Sequence, residues 1–187
     1  MARVRQRAIA DYENTVNVKG ASARLNAVDN FTYITTTGNH DLSGLTLGNH
    51  KVMVNVALAD TNYIQLPEAT TENGGMHIRI IVALAQADKV NVGFVTTNIV
   101  GGAQALGDAG EGNAPTDIAT VTSAVGTGNK RVEFDLDVVA KAGWQPGSIL
   151  DFHYTGVANV VLYRGDLLSE VNDPSIATHF TTTAVNA

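Results

Sequence analysis

Cysteine is absent from the 187 residues, which excludes disulfides, thiol nucleophiles and thiolate metal sites together. Charge is sparse at 16%, and 18 Asp and Glu stand against 12 Lys and Arg, giving a net charge of −6. That balance argues against a chain-wide nucleic-acid surface, because phosphate binding rests on clustered Lys and Arg. Proline is limited to 4 residues, aromatics to 6%, and there is a single Trp. Long apolar runs are missing as well. The longest are strand-length and broken by His, Arg, Asn or Gln, well short of the ~20 residues that span a bilayer, so no membrane association is expected. Arg3, Arg5 and Arg7 lead into Ala8, Ile9, Ala10 and then Asp11, with no run long enough for a secretory signal.

What is present favours strands. Hydrophobic residues make up 44% of the chain, and Thr, Asn, Val and 18 Gly outweigh the helix formers, a composition of β-structure with tight turns. A chain of this length buries about 70% of its unfolded surface, so one core suffices without disulfide or metal. The organising stretch is 63–94. Residues 63–66 read as a short strand that Pro67 ends, since proline lacks an amide hydrogen for the ladder. Asn73, Gly74 and Gly75 form a turn. Met76, Ile78, Ile80, Val82 and Leu84 then alternate with His77, Arg79, Ile81 and Ala83, and Val90, Val92 and Phe94 share a further face.

Along the chain, residues 1–30 form an extended N-terminal arm holding five of the basic side chains, Arg3, Arg5, Arg7, Lys19 and Arg24, against Asp11, Glu13 and Asp29. If extended, its first residues put three guanidinium groups on one side, suited to a partner's carboxylates. Arg3, Arg5, Arg7, Ile9 and Tyr12 are therefore the candidate partner-binding residues. A β-domain over 31–168 and a Thr-rich C-terminal tail over 169–187 complete the organisation. Within the domain, 31–37 and 51–60 are expected strands, the second pairing with 63–66 across Asp60, Thr61 and Asn62. Residues 96–115 read as a long surface loop. Hairpins are expected at 116–124 with 131–139, and at 149–154 with 157–163.

Candidate chemistry is thin. Glu133, Asp135 and Asp137 alternate on one strand, within reach of a divalent cation or simply as a solvated strand face, and Asp108, Glu111, Asn113 and Asp117 lie in a Gly-rich stretch without calcium-loop spacing. His40, His50, His77, His153 and His179 are scattered, so a zinc site needs tertiary coincidence. No metal or organic cofactor is expected, and no nucleophile, phosphate-binding or dinucleotide motif occurs. Trp144 beside Tyr154 and Tyr163 offers stacking area for a sugar. Arg164-Gly165-Asp166 matches the tripeptide read by integrin receptors, and Asn30-Phe31-Thr32 a glycosylation pattern.

A strand ending in Gln65-Leu66-Pro67, a Thr-rich turn with Gly74-Gly75, the strand Ile78-Arg79-Ile80-Ile81-Val82, and Lys89-Val90-Asn91-Val92 together resemble a β-module common in tailed-phage virion proteins. Gly147-Ser148-Ile149-Leu150-Asp151-Phe152, Thr155-Gly156 and Val160-Val161-Leu162-Tyr163 take the places of its closing hairpin, so the resemblance spans 51–168. The module's usual Trp in the last strand is missing. The resemblance implies an all-β fold, an antiparallel β-sandwich or partly open β-barrel of jelly-roll or tulip-like form. It also implies a non-enzymatic capsid decoration (cement) protein, made in the host cytoplasm and carried on the virion surface. Its partners would be the major capsid protein or other virion subunits, and apolar residues on both faces of some strands fit a homotrimer. The alternatives are a receptor- or carbohydrate-binding head or tail fibre domain, which lacks its long repeats here, and a glycan-degrading enzyme, which needs two facing carboxylates.

Overall fold

The computed structural model describes residues 30–59, 61–86, 90–106, 118–134, 145–168 and 179–186. Strands are β1 Asn30–Ile34, β2 His40–Asp41, β3 Asn49–Val54, β4 Tyr63–Gln65, β5 His77–Val82, β6 Val90–Gly93, β7 Asn98–Leu106, β8 Ile118–Ser123, β9 Arg131–Phe134, β10 Ile149–Tyr154, β11 Val160–Leu168 and β12 Phe180–Thr181. No helix occurs among the described residues. The strands form two sheets, β1-β3-β5-β10-β11-β7-β8 and β12-β9-β6-β4-β2, so the chain is an all-β sandwich as its composition implies.

Strand direction is where the sequence expectation needs correction. Pairings β1–β3, β3–β5, β2–β4, β4–β6 and β7–β11 are parallel, so the sheets are mixed where chained hairpins predict antiparallel ones. The reason lies in the route of the chain. From β1 to β6 it alternates sheets, odd-numbered strands joining the large sheet and even-numbered ones the small sheet. Parallel neighbours need a crossover of a dozen or more residues, and here a strand of the facing sheet supplies it. Residues 51–54 therefore do not pair with 63–66. Likewise β8 joins β7 while β9 joins β6 and β12, so the expected hairpin between them is two strands of opposite sheets. The β10–β11 hairpin forms as expected, from Ile149↔Asp166 to Tyr154↔Val161. The expected loop at 96–115 is instead β7 over its first part.

Alternation fills the core. Ile78, Ile80 and Val82 of β5 and Leu150, Phe152 and Tyr154 of β10 point inward against Ile64, Leu66, Val92, Phe94 and Val132 of the small-sheet side, and all are buried. Phe94 packs edge-on against Phe152 at 5.9 Å, a geometry that adds to the area term. β12 and the buried Val185, whose N–H donates to Phe94 O at 2.9 Å, bring 180–185 into the small-sheet side.

Two local devices lock the arrangement. Glu68, after the strand-ending Pro67, accepts from the N–H groups of Val95, Thr96 and Thr97 and from the hydroxyls of Thr96 and Thr97, at 2.6–3.2 Å. Burial alone would raise its carboxyl, but these donors outweigh it and hold the group below its ordinary value. Gly101 sits at φ +145 against β11, and a Cβ there would lie 1.9 Å from Tyr163 O. Only glycine lets the two backbones come that close.

Candidate functional site

The outer face of the large sheet is built by the same alternation that builds the core. Register places Phe31, Lys51, Arg79, Asp151 and Arg164 in one row across β1, β3, β5, β10 and β11. A second row runs Tyr33, Met53, Ile81, Ile149 and Asp166, and His77, His153, Leu162 and Val100 form a third. Apolar area remains open here, with Phe31 49% exposed, Tyr33 61% and Leu162 44%. Phe31 and Tyr33 stack at 6.1 Å, and the Lys51 ammonium lies 5.3 Å from the Phe31 ring, a cation–π arrangement.

At its centre stands a charged cluster. Arg79 Nε and Nη2 donate to Asp151 Oδ1 and Oδ2 at 2.7 and 2.9 Å, a two-pronged bond that fixes the carboxylate plane. His77 Nε2 lies 2.9 Å from the same Oδ1, and the His77 and His153 rings stack at 4.3 Å with planes 3° apart. Asp151 is 6% exposed although it faces outward. Burial pushes its carboxyl up, yet the hydrogen bonds and charges of His77 and Arg79 prevail and hold it well below the usual carboxylate range. His153 is shifted down by partial burial and then by the neighbouring His77. Arg164 Nε pairs with Asp166 Oδ2 at 3.1 Å, and Gln104 Nε2 donates to Asp166 Oδ1 at 2.8 Å, extending the polar network.

Charge is unevenly placed on the molecule. Removing the arm's five basic and three acidic residues leaves 30–187 with seven basic and fifteen acidic side chains. Three of those seven, Lys51, Arg79 and Arg164, share one row of this face, against Asp151 and Asp166 among the described residues. With Arg79 paired to Asp151 and Arg164 to Asp166, these five side chains leave a partly apolar sheet face with one net positive charge on an acidic body.

The arm residues Arg3, Arg5, Arg7, Ile9 and Tyr12 lie outside the described residues, as do Asp108, Glu111, Asn113, Asp117, Asp135, Asp137 and Trp144. Glu133 is bonded to Arg131 Nη2 at 3.0 Å. Tyr154 and Tyr163 are buried, donating or sharing hydrogen bonds with Pro67 O and His179 Nε2, so they offer no face to a sugar. Arg164-Gly165-Asp166 is regular strand within β11, not a loop tip. His40 bonds Thr36 O, His50 bonds Thr46 O, and His179 is buried beside Tyr163.

Of the five scattered histidines, the fold brings His77 and His153 together. Sequence reasoning placed His77 and Arg79 on the polar side of their strand but had no means of finding Asp151 opposite them. The only trace was a pair of polar-x-polar segments, His77-x-Arg79 and Asp151-x-His153, within apolar strands. No helix among the described residues is long and apolar enough to cross a membrane. No protein-family model, curated protein or solved structure matches the chain.

Proposed function

We propose that the chain is a non-enzymatic structural protein of a virion, a capsid decoration (cement) protein that docks on acidic capsid subunits through the outer face of its large sheet. The observation that carries this reading is the outer face itself. It combines exposed Phe31, Tyr33 and Leu162 with Lys51 and the ion-paired Arg79 and Arg164, a net positive face on an otherwise acidic body, the mixture of apolar anchors and charge that protein partners use. A face some five strands wide suits a flat, broad contact better than the enclosure of a small substrate. The sequence resemblance to tailed-phage β-modules supplies the virion setting. β1, the edge strand of this face, directly follows the basic arm in sequence, and Arg3, Arg5 and Arg7 of the arm are the further residues proposed to pair with the partner's carboxylates. Three copies around a threefold position of the shell form the attached unit.

A receptor- or carbohydrate-binding fibre domain is the second reading, favoured by the stacked and exposed Phe31–Tyr33 pair. Co-sedimentation with assembled heads separates the two. Saturable binding that weakens on deletion of 1–29, and less on Arg3, Arg5 and Arg7→Ala, supports decoration. Absence of head binding together with retention on glycan arrays supports the fibre reading.

A further inference from the structure

We propose that His77, Asp151 and His153 form a surface site for a divalent transition ion of the zinc class, with two imidazole nitrogens and one carboxylate oxygen as ligands. The three residues each present a ligand atom, and these atoms lie within 4.8 Å of one another. The site is made by register. His77 and His153 are direct partners across the β5–β10 pairing, and Asp151 is two residues from His153 on the same face. Both strands are central in the sheet, so the ligands stand on rigid backbone and not on loops.

The chemistry selects among ions. Zinc takes nitrogen at about 2.0–2.1 Å and carboxylate oxygen at about 2.0–2.2 Å, so two ligands on one tetrahedral ion stand roughly 3.4 Å apart. His77 Nε2 and Asp151 Oδ1, at 2.9 Å, need to open by a few tenths of an ångström. His153 must close, and its ring must turn from parallel stacking so that both lone pairs meet one point. It is exposed, and therefore has room to turn. The ion replaces the proton that now bridges His77 Nε2 and Asp151 Oδ1. Arg79 binds both oxygens of Asp151, Nε on the ligand atom Oδ1 and Nη2 on Oδ2, and so holds the carboxylate plane as outer partners of metal ligands do. Its charge opposes every cation here alike, so the selection rests on ligand type. Calcium and magnesium find one carboxylate, two neutral imidazoles and a guanidinium, whereas imidazole suits zinc, copper and nickel.

Titration calorimetry of the full chain with zinc chloride tests the site, with thermal melting as a second readout. The expected result is one saturable site whose melting temperature rises with zinc, unaffected by excess calcium or magnesium. Loss of an outer partner alone weakens metal sites by about 10–100-fold, so His153→Ala should weaken binding by at least about tenfold. That side chain is exposed, so the variant keeps the fold. His40→Ala, which removes a half-buried histidine on the small sheet, should leave binding unchanged. Binding that is undetectable at millimolar zinc, or equal in His153→Ala and the parent chain, overturns the proposal.

Discussion

Replacing Glu68 by Gln keeps the side chain's shape, removes its charge and leaves part of a dense set of donors unmatched. The carboxylate receives three backbone N–H groups and two hydroxyls, with Thr97 fully buried and also accepting from Ala69 N–H at 2.8 Å. A glutamine retains one oxygen for the Thr97 side of this set. Its amide nitrogen then meets the Val95 N–H, donor against donor, where Oε1 now accepts at 2.7 Å. Hydrogen bonds to a charged group contribute about 1.5–3 kcal/mol, and a shielded donor left unmatched costs about 1–3 kcal/mol. Thr96 is exposed and recovers its bonds from water, so the loss is roughly 2–3 kcal/mol. For a chain of this size that corresponds to about 5–10 °C in melting temperature. The pH dependence gives an independent check. Because folding lowers the Glu68 carboxyl, its stabilisation is full above the ordinary glutamate value of 4.5 and is lost as pH falls through the lowered folded value. Denaturant titrations at pH 7 and at pH 3 should therefore show a gap between parent and Glu68→Gln that narrows in acid. Equal stability at pH 7, or a gap that stays constant with pH, refutes the assigned role.

Two further expectations rest on the core. Gly101→Ala forces a Cβ into Tyr163 O at a backbone angle that disfavours side chains, so it should lower stability by roughly 3 kcal/mol or more in urea titration, and a change under about 0.5 kcal/mol contradicts the close approach. His179 is held down to about 3 by burial, against the opposing hydrogen bond at Glu133, so the unfolded chain takes up its proton first as pH falls. Its contribution is complete above pH ~6.5 and is lost progressively toward pH 3, by roughly 3–5 kcal/mol, and His179→Gln should flatten that limb of the stability profile.

How much of this was legible in the sequence depends on distance along the chain. The apolar alternation of 76–84 and the Thr155-Gly156 turn are local signals, and β5 and the β10–β11 hairpin match them. Residues 55–62 are as compatible with a fold-back as with a crossing to the facing sheet, so the mixed sheets were not readable from spacing. β7 was hidden by Gly101 and Gly102, which lower strand propensity while permitting the close parallel approach to β11. The central cluster was out of reach for the same reason. His77 and Asp151 are 74 residues apart and meet only because β10 returns beside β5.

The claim that the outer face of the large sheet is the docking face is tested most directly by hydroxyl-radical footprinting of the full chain, free and bound to assembled heads. Phe31, Tyr33, Met53 and Leu162 report on that face, while Leu47, Val125 and Val157 report on exposed turns away from its rows. Docking through the face predicts that oxidation of the first group falls on binding while the second group stays reactive. Protection confined to Leu47, Val125 or Val157, with Tyr33 and Leu162 as reactive as in the free chain, contradicts it.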